Sequence, residues 1–326
     1  MKESEIRPKN IFNEYLRLAK IDAKTYFINS SKVEIDCPAC GRIGEHSFHK
    51  ENFDYSECPN CNTLYVNPRP DAESFFSYYR ESPSSKFWAT TFYAKTAEAR
   101  RKKLWKPKAR AVYDIISKYT DRDNTVVVDI GGGYGIFAEE IRKFMRNQPI
   151  VIEPGPHLAS ICRDKDLNVI EKFLENVKQT DLPKNGKAYV SFELFEHLHS
   201  PESFMRHLNR LMSPGDLFIF TTLSGAGVDI QALWENSDSV MPPHHLNFLN
   251  PFSVRILLDR CSFETLEVTT PGKLDIDILT NNKDKIKDRF WKNFTTYASD
   301  NQKKIWQKLI SESGLSSHMM VVCKKP

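Results

Sequence analysis

Thr125-Val126-Val127-Val128-Asp129-Ile130-Gly131-Gly132-Gly133-Tyr134-Gly135-Ile136 carries the strongest fold signal in the chain. The β-branched run at 125–130 has the composition of a strand buried on both faces. The glycines after it permit positive φ and let the backbone approach a ligand with no Cβ in the way. From Ile136 to Met145 the apolar spacing turns helical. Strand, glycine turn and helix in this order make a cofactor cradle, and two spacings compete for it. Nicotinamide binders use G-x-G-x-x-G to seat pyrophosphate on the helix N-terminus. Here the glycines run Gly131-x-Gly133-x-Gly135, with Asp129 two residues ahead. An acid at that strand end repels pyrophosphate and suits a cofactor that carries an ammonium and a sulfonium.

Beyond this loop, Ile150-Val151-Ile152-Glu153 sets a second acid at the end of a second strand. An acid there accepts both hydroxyls of a ribose. It would fit NAD equally well, so the loop spacing decides. Further strands are expected at 168–171, 188–192, 217–222, 264–269 and 318–324, with helices at 156–163, 201–211 and 251–259 between them. The alternation predicts an α/β fold, a Rossmann-like doubly wound sheet of seven strands. Its domain would cover 121–326, with a helical insertion near 281–312. Upstream the sequence divides into an N-terminal helical segment at 1–30 and a compact Cys-, Pro- and Gly-rich segment at 31–70. A helical linker or cap at 71–120 follows, with a break near Pro107.

With these residues in hand, the chain resembles the class I S-adenosylmethionine-dependent methyltransferases. The resemblance runs through Asp129-x-Gly131-x-Gly133-x-Gly135, Glu153 and Phe192-Glu193-Leu194-Phe195-Glu196-His197-Leu198. It implies that Asp129, Gly131, Gly133, Tyr134 and Gly135 lie under the amino-acid part of S-adenosylmethionine and that Glu153 binds its ribose. Residues around Phe173 and Leu174 would flank the adenine, and Phe192 would lie at the strand end beside the cofactor. Methyltransferases of base amino groups resemble one another in an Asn-Pro-Pro-Tyr-type motif at this strand end. This chain has Phe192-Glu193-Leu194-Phe195 there, which argues against that subclass. Glu196-His197 would pack beside the cofactor at the start of the next helix.

The chain has seven cysteines, and four form Cys37-Pro38-Ala39-Cys40 and Cys58-Pro59-Asn60-Cys61, separated by residues 41–57. That spacing matches a structural zinc ribbon. Four thiolates fill the tetrahedron and leave no open position, so the expected Zn2+ is structural. A ribbon before such a domain has two readings: an RNA-reading module, or a small cap over the acceptor site. Acids Glu34, Asp36, Glu45, Glu51, Asp54 and Glu57 outnumber Lys32, Arg42 and Lys50 in it, whereas phosphate neutralisation needs the reverse. The cap is preferred, and nucleic acid is not the expected partner.

Met241-Pro242-Pro243-His244-His245-Leu246-Asn247-Phe248 falls after the fifth strand, where acceptor pockets form in this fold. Two adjacent histidines cannot both face the core, and a histidine near its ordinary pKa accepts a proton at neutral pH. One of His244 and His245 is the candidate general base. The order of the cysteine pairs, Asn67-Pro68-Arg69-Pro70, glycine loop, Glu196-His197-Leu198 and His244-His245-Leu246 looks like a bacterial methyltransferase group with an N-terminal zinc domain. Members of that group modify nucleotide sugars, deoxysugars or surface glycans. In related sugar C-methyltransferases the histidine matching His245 acts as base, which implies His245 as the base here, with His244, Tyr79 or His197 assisting. Those enzymes carry a tyrosine just before the position of Ser84-Ser85, and a further C-terminal α/β domain. Tyr78 and Tyr79 only lie near that tyrosine position, and no such domain follows here, so oxygen is the expected methylated atom. The alternatives are an RNA methyltransferase that reads through the ribbon, and a cofactor-binding partner subunit without turnover.

Net charge is +4, spread along the chain, which is too weak to argue for a polyanion. The cluster Arg100 to Lys103 reads as a solvated helix face. No apolar run approaches the ~18 residues of a membrane span, and Met1 to Asn10 lacks a signal-peptide core. These features predict a cytoplasmic protein, monomeric or homodimeric, acting on a small-molecule or glycan acceptor.

Overall fold

The computed structural model describes residues 1–326. A long helix, Lys9–Phe27, leads into five short strands. These are β1 (Lys32–Val33), β2 (Glu45–Lys50), β3 (Phe53–Glu57), β4 (Leu64–Val66) and β5 (Arg69–Pro70). Then come β6 (Thr125–Ile130), β7 (Ile150–Ile152), β8 (Asn168–Ile170), β9 (Gly186–Phe192), β10 (Leu217–Leu223), β11 (Asn247–Phe248), β12 (Glu264–Thr269) and β13 (His318–Lys324).

Seven of these strands form the central sheet, in the order β12-β13-β10-β9-β6-β7-β8. All run parallel except β13, which lies antiparallel between β10 and β12. Every residue of β6 and of β10 is buried, as strands covered by helices on both faces must be. Strand β6 pairs with β7 on one side and β9 on the other. The connection reverses there, and a doubly wound sheet opens a crevice at the carboxyl ends of its strands at such a point. Asp129, Glu153 and Glu193 stand at those ends. His318 joins them because β13 runs the other way and starts at the same edge.

The expected elements recur with shifted ends. The helix after the glycine loop stops at Ile141 rather than Met145. Pro107 does not break the chain: the helix Tyr93–Arg100 continues through a wide π turn, Arg101–Trp105, into Lys106–Tyr119, with Pro107 just past that turn. The wider turn accommodates a residue that lacks the N–H of a regular α-helical ladder. The insertion forms two helices, Arg289–Tyr297 and Asp300–Glu312. Their Trp291, Phe294 and Trp306 pack on Leu233, Ile276 and Leu279. The helix Val228–Leu233 and strand β11 have no counterpart in the sequence expectations.

The solvated reading of Arg100 to Lys103 needs correction at its start. Arg100 is 7% exposed. Arg101 points the other way and pairs with Glu139 at 2.7 Å and Glu140 at 2.6 Å. Only Lys102 and Lys103 behave as solvated groups.

Segment 31–70 shares a sheet with the large unit. That four-stranded sheet has the order β11-β4-β3-β2. Asn247 pairs with Tyr65 and Phe248 with Leu64, antiparallel. Two apolar interfaces hold the segment down. Cys37, Ala39, Cys58, Cys61 and Tyr65 join the core that contains Phe195, Phe218 and Leu257. Phe53, Tyr55, Leu64 and Val66 join Phe27, Phe75, Tyr78, Leu246 and Phe248. No helix is long and apolar enough to cross a membrane.

Candidate functional site

The glycine loop bends as its sequence requires. Gly131, Gly133 and Gly135 have φ of +71°, +55° and +67°, a region that side chains with a Cβ avoid. The three serve different ends. A Cβ on Gly135 would lie 2.6 Å from Leu167 Cδ1 and 2.9 Å from Cys162 Sγ, so this glycine is needed for packing. A Cβ on Gly133 would meet nothing within 4 Å, so this glycine faces open space where a ligand fits.

Asp129 is buried beneath that loop, and its Oδ2 has no hydrogen-bond partner. Burial, with Glu153 nearby, pushes its carboxyl up to about 7. A buried acceptor with no donor calls for a cationic ligand group. Glu153, 6% exposed, accepts from the backbone N–H of Gly133 and Gly155, each at 2.9 Å. Its oxygens keep further lone pairs for ribose hydroxyls. The Tyr134 ring stacks on Tyr93 with centroids 4.6 Å apart. Phe173 is exposed at the far side and touches Phe76. Phe192 is buried against Phe137, with Lys108 Nζ 4.6 Å from its ring centroid. The open loop, the orphaned acid and the second acid fit the ammonium and ribose of S-adenosylmethionine.

A second cluster lies beside this cradle. The turn Phe195–His197 follows β9 and precedes the helix Pro201–Leu211. It brings Glu196 and His197 to His245, and one ligating atom of each lies within 4.8 Å of the others. Both imidazoles have a fixed tautomer. His197 Nδ1 is 2.9 Å from the His244 carbonyl, and His245 Nδ1 is 2.6 Å from the Ser239 carbonyl. A carbonyl only accepts, so each Nδ1 carries the proton and each Nε2 presents a lone pair. Burial lowers His197 to about 4, and burial with His197 lowers His245 to about 3. Burial and Glu193 raise Glu196 to about 8.

The two adjacent histidines diverge, as their sequence context demands. His245 faces the cluster. His244, 4% exposed, turns inward, where the Tyr78 hydroxyl meets its Nε2 and the Tyr15 ring lies 5.3 Å away. Tyr79 is 41% exposed, with its ring 6.2 Å from that of His244. Tyr78, rather than Tyr79, contacts His244 directly and also bonds Ser84 Oγ at 3.0 Å.

Sequence reasoning missed several residues here. Glu193 has φ +55° and accepts from Thr221 Oγ1 at 2.9 Å and Lys108 Nζ at 3.3 Å. His318 Nδ1 lies 3.5 Å away. Burial alone would raise the Glu193 carboxyl, but His318 and Lys108 outweigh it and hold it low. Arg69 is 1% exposed and donates to the carbonyls of His199 and Leu246 and to Asn247 Oδ1. It ties the Glu196-His197 turn to the His245 loop. Its signal was the Asn67-Pro68-Arg69-Pro70 motif.

The cysteines converge. Cys37 and Cys61 Sγ are 3.5 Å apart, as are Cys40 and Cys58 Sγ. All four lie within 4.8 Å of one another. A tetrahedral zinc with Zn–S near 2.3 Å has sulfur–sulfur edges of about 3.8 Å, so the donor set fits that ion. Gly41 and Asn62, the residues after each pair, take positive φ and close the two knuckles. Asn250 Nδ2 donates to the carbonyls of Cys61 at 2.7 Å and Asn62 at 3.1 Å, and Arg260 donates to Ala39.

A mostly parallel sheet that reverses at an acid-and-glycine cradle defines a Rossmann-like fold. The chain belongs to the methyltransferase domain family, whose model matches residues 97–268, just over half of it. This is an S-adenosylmethionine-dependent methyltransferase family. A curated relative, the mitochondrial ubiquinone biosynthesis O-methyltransferase of Dictyostelium discoideum, is 21% identical over 112 residues. That match takes in 30% of this chain and 35% of the relative, so the chain spans about a third of its length. Among solved structures, the plantazolicin methyltransferase BamL with a triazolic desmethylPZN analog and SAH is similar at TM-score 0.49 and 14% identity, over 76% of this chain and 93% of that one. Coclaurine N-methyltransferase with N-methylheliamine and SAH is similar at TM-score 0.42 and 16% identity, over 67% and 72%.

Proposed function

We propose that this protein transfers a methyl group from S-adenosylmethionine to an oxygen of a small molecule: a nucleotide sugar, a deoxysugar or a surface-glycan precursor. The observation that carries the acceptor side is the free Nε2 of His245, on a ring 4.9 Å from that of His197 and beside Glu196 at the carboxyl edge of the sheet. When bound, the cofactor supplies an electrophilic methyl on a sulfonium.

The chain's own residues do the rest. Asp129 holds the cofactor's ammonium, the backbone at Gly131, Gly133, Tyr134 and Gly135 lies under its amino-acid part, and Glu153 holds its ribose. Phe173 borders the adenine, and Phe192 backs the cradle from the core. His245 takes the acceptor proton on Nε2 while the Ser239 carbonyl fixes its ring. Ionised Glu196 offers the countercharge. His197 and Tyr79 wall the acceptor, and His244 braces the loop through Tyr78. With its imidazole held near 3, His245 takes the proton where ionised Glu196 stabilises the imidazolium that forms, and proximity supplies the rest. The four cysteines hold a structural zinc, and the ribbon they anchor acts as a cap with the 71–120 helices.

The test is His245→Ala, with His245→Gln as a sterically close control. Transfer to a nucleotide-sugar acceptor should fall by roughly 10²-fold or more while S-adenosylhomocysteine still binds as in the wild type. Full transfer in both variants would sink the base assignment. Absence of cofactor binding in the wild type would sink the reading as a whole.

A further inference from the structure

The inner faces of the insertion helices, Arg289–Tyr297 and Asp300–Glu312, hold the insertion to the core through Trp291, Phe294 and Trp306. Their outer sides carry further apolar side chains that nothing in the chain covers. Tyr297 is 82% exposed, Ile305 58%, Phe290 53% and Leu309 52%. Scattered apolar residues on a surface are ordinary, whereas a contiguous group marks a contact surface. This group is contiguous. Phe290 and Tyr297 lie two turns apart on one stripe of their helix, and the Phe290 ring is 5.6 Å from that of Trp306. Leu309 adjoins both Trp306, three residues before it, and Ile305, four before it.

Charge says what this surface fits. Residues 281–312 hold eight lysines or arginines and four acids. Lys285, Lys287 and Lys308 pair with Asp238, Glu235 and Glu312. The other five, Lys283, Arg289, Lys292, Lys303 and Lys304, are in no ion pair. A surface both apolar and cationic repels a second copy of itself and attracts an anionic partner. Ile305 and Leu309 offer no ring on which a base could stack, but they enter an acyl layer as readily as Phe290 does. Apolar and aromatic side chains beside lysines are the composition of helices that lie in the headgroup region of an anionic bilayer. Long cationic side chains there keep their stems on apolar surface and their heads at the phosphates. The insertion is also tied to the acceptor side: Lys285 bonds Asp238 at 3.2 Å and Lys287 bonds Glu235 at 2.7 Å, just ahead of Ser239, whose carbonyl orients His245.

We propose that Phe290, Tyr297, Ile305 and Leu309 form a docking surface that seats the protein peripherally on an anionic lipid bilayer, with the unpaired cations at its headgroups. The helices lie in the interface and do not cross it, since none is long and apolar enough to span. The inference stands apart from the methyltransferase reading, because docking needs neither cofactor nor acceptor.

The full-length protein is floated with vesicles of equal parts phosphatidylglycerol and phosphatidylcholine, and with vesicles of phosphatidylcholine alone. It should partition onto the anionic vesicles in preference to the neutral ones, and added salt should weaken that preference. Ile305→Ser combined with Leu309→Ser, and Arg289→Gln combined with Lys304→Gln, should each weaken the partition roughly tenfold. All four side chains are exposed, so both variants should fold, which thermal unfolding checks. No binding to anionic vesicles, or equal binding by the Ile305 and Leu309 variant, would overturn the proposal. So would a dimer or an oligonucleotide complex that is lost on the same substitutions, because either would give this face another occupant. Binding of S-adenosylhomocysteine is titrated on the same samples, so a failure of the methyltransferase reading shows separately.

Discussion

Asn247, two residues after His245, pairs in antiparallel register with Tyr65 of the cysteine-bearing segment. The cysteine knuckles and the histidine loop thus flank one sheet, and Asn250 adds two hydrogen bonds from the loop to the second knuckle. Wild-type protein should contain one zinc per chain by mass spectrometry. Cys61→Ser should lose it and lower the unfolding midpoint by roughly 6–12 °C, taking about 3 kcal/mol at 2–4 °C per kcal/mol. Protease cleavage should then appear within 237–250. A variant that lacks zinc yet keeps this loop protected would refute the coupling.

The glycine loop separates folding from binding. Gly133→Ala places a methyl in open space at the cost of a left-handed backbone, about 1–2 kcal/mol. It should fold and fail to bind S-adenosylhomocysteine. Gly135→Ala drives a methyl into Leu167 and Cys162 and should reduce soluble, folded protein first. Circular dichroism with calorimetry distinguishes the two, and the reverse pattern would contradict the assignment.

Asp129 links cofactor affinity to pH. Its native carboxyl titrates near 7, far above the unfolded value. Between those values the native state holds a proton that the unfolded chain has released, so stability falls as pH rises through this window. Asp129→Asn removes the buried charge, so the variant should melt higher than wild type at pH 8 and show no such gain at pH 4. Binding runs the other way. Affinity of the wild type for S-adenosylhomocysteine should rise from pH 5 to 8 and level off above about 8. In the Asp129→Asn variant it should be flat and roughly tenfold or more weaker.

Glu196 should set the alkaline side of the rate. Its carboxyl titrates near 8, and only the ionised form offers a countercharge to a protonated His245. The transfer rate should therefore climb as pH rises through about 8, and Glu196→Gln should remove that climb. His245 itself, held near 3, stays neutral and adds no limb between pH 5 and 9. An unchanged climb in Glu196→Gln would place the titrating group elsewhere.

Much of the fold was legible because its signals are local. The run at 125–130 is continuously apolar up to its acid, and a strand so composed must be covered on both faces. Asp129 and the alternating glycines specify a turn within a few residues. The cysteine pairs are likewise local chelating units. Strand β11 was not legible, because two residues give no periodicity and its partner β4 lies in a distant segment. The burial of Arg100 was hidden too. The adjoining charges read as one solvated face, whereas successive helical residues point about 100° apart.

Spacing within single segments was enough to specify the parallel sheet, its cofactor cradle and the four clustered thiols. It took the folded chain to show that the knuckles brace the histidine loop and that His245, not His244, faces Glu196 and His197. The same holds for Arg69, which joins two loops. These relationships have a common origin. They depend on side chains from distant segments sharing one poorly solvated space, where a hydrogen bond or a charge gains its meaning from its neighbours in space rather than along the chain.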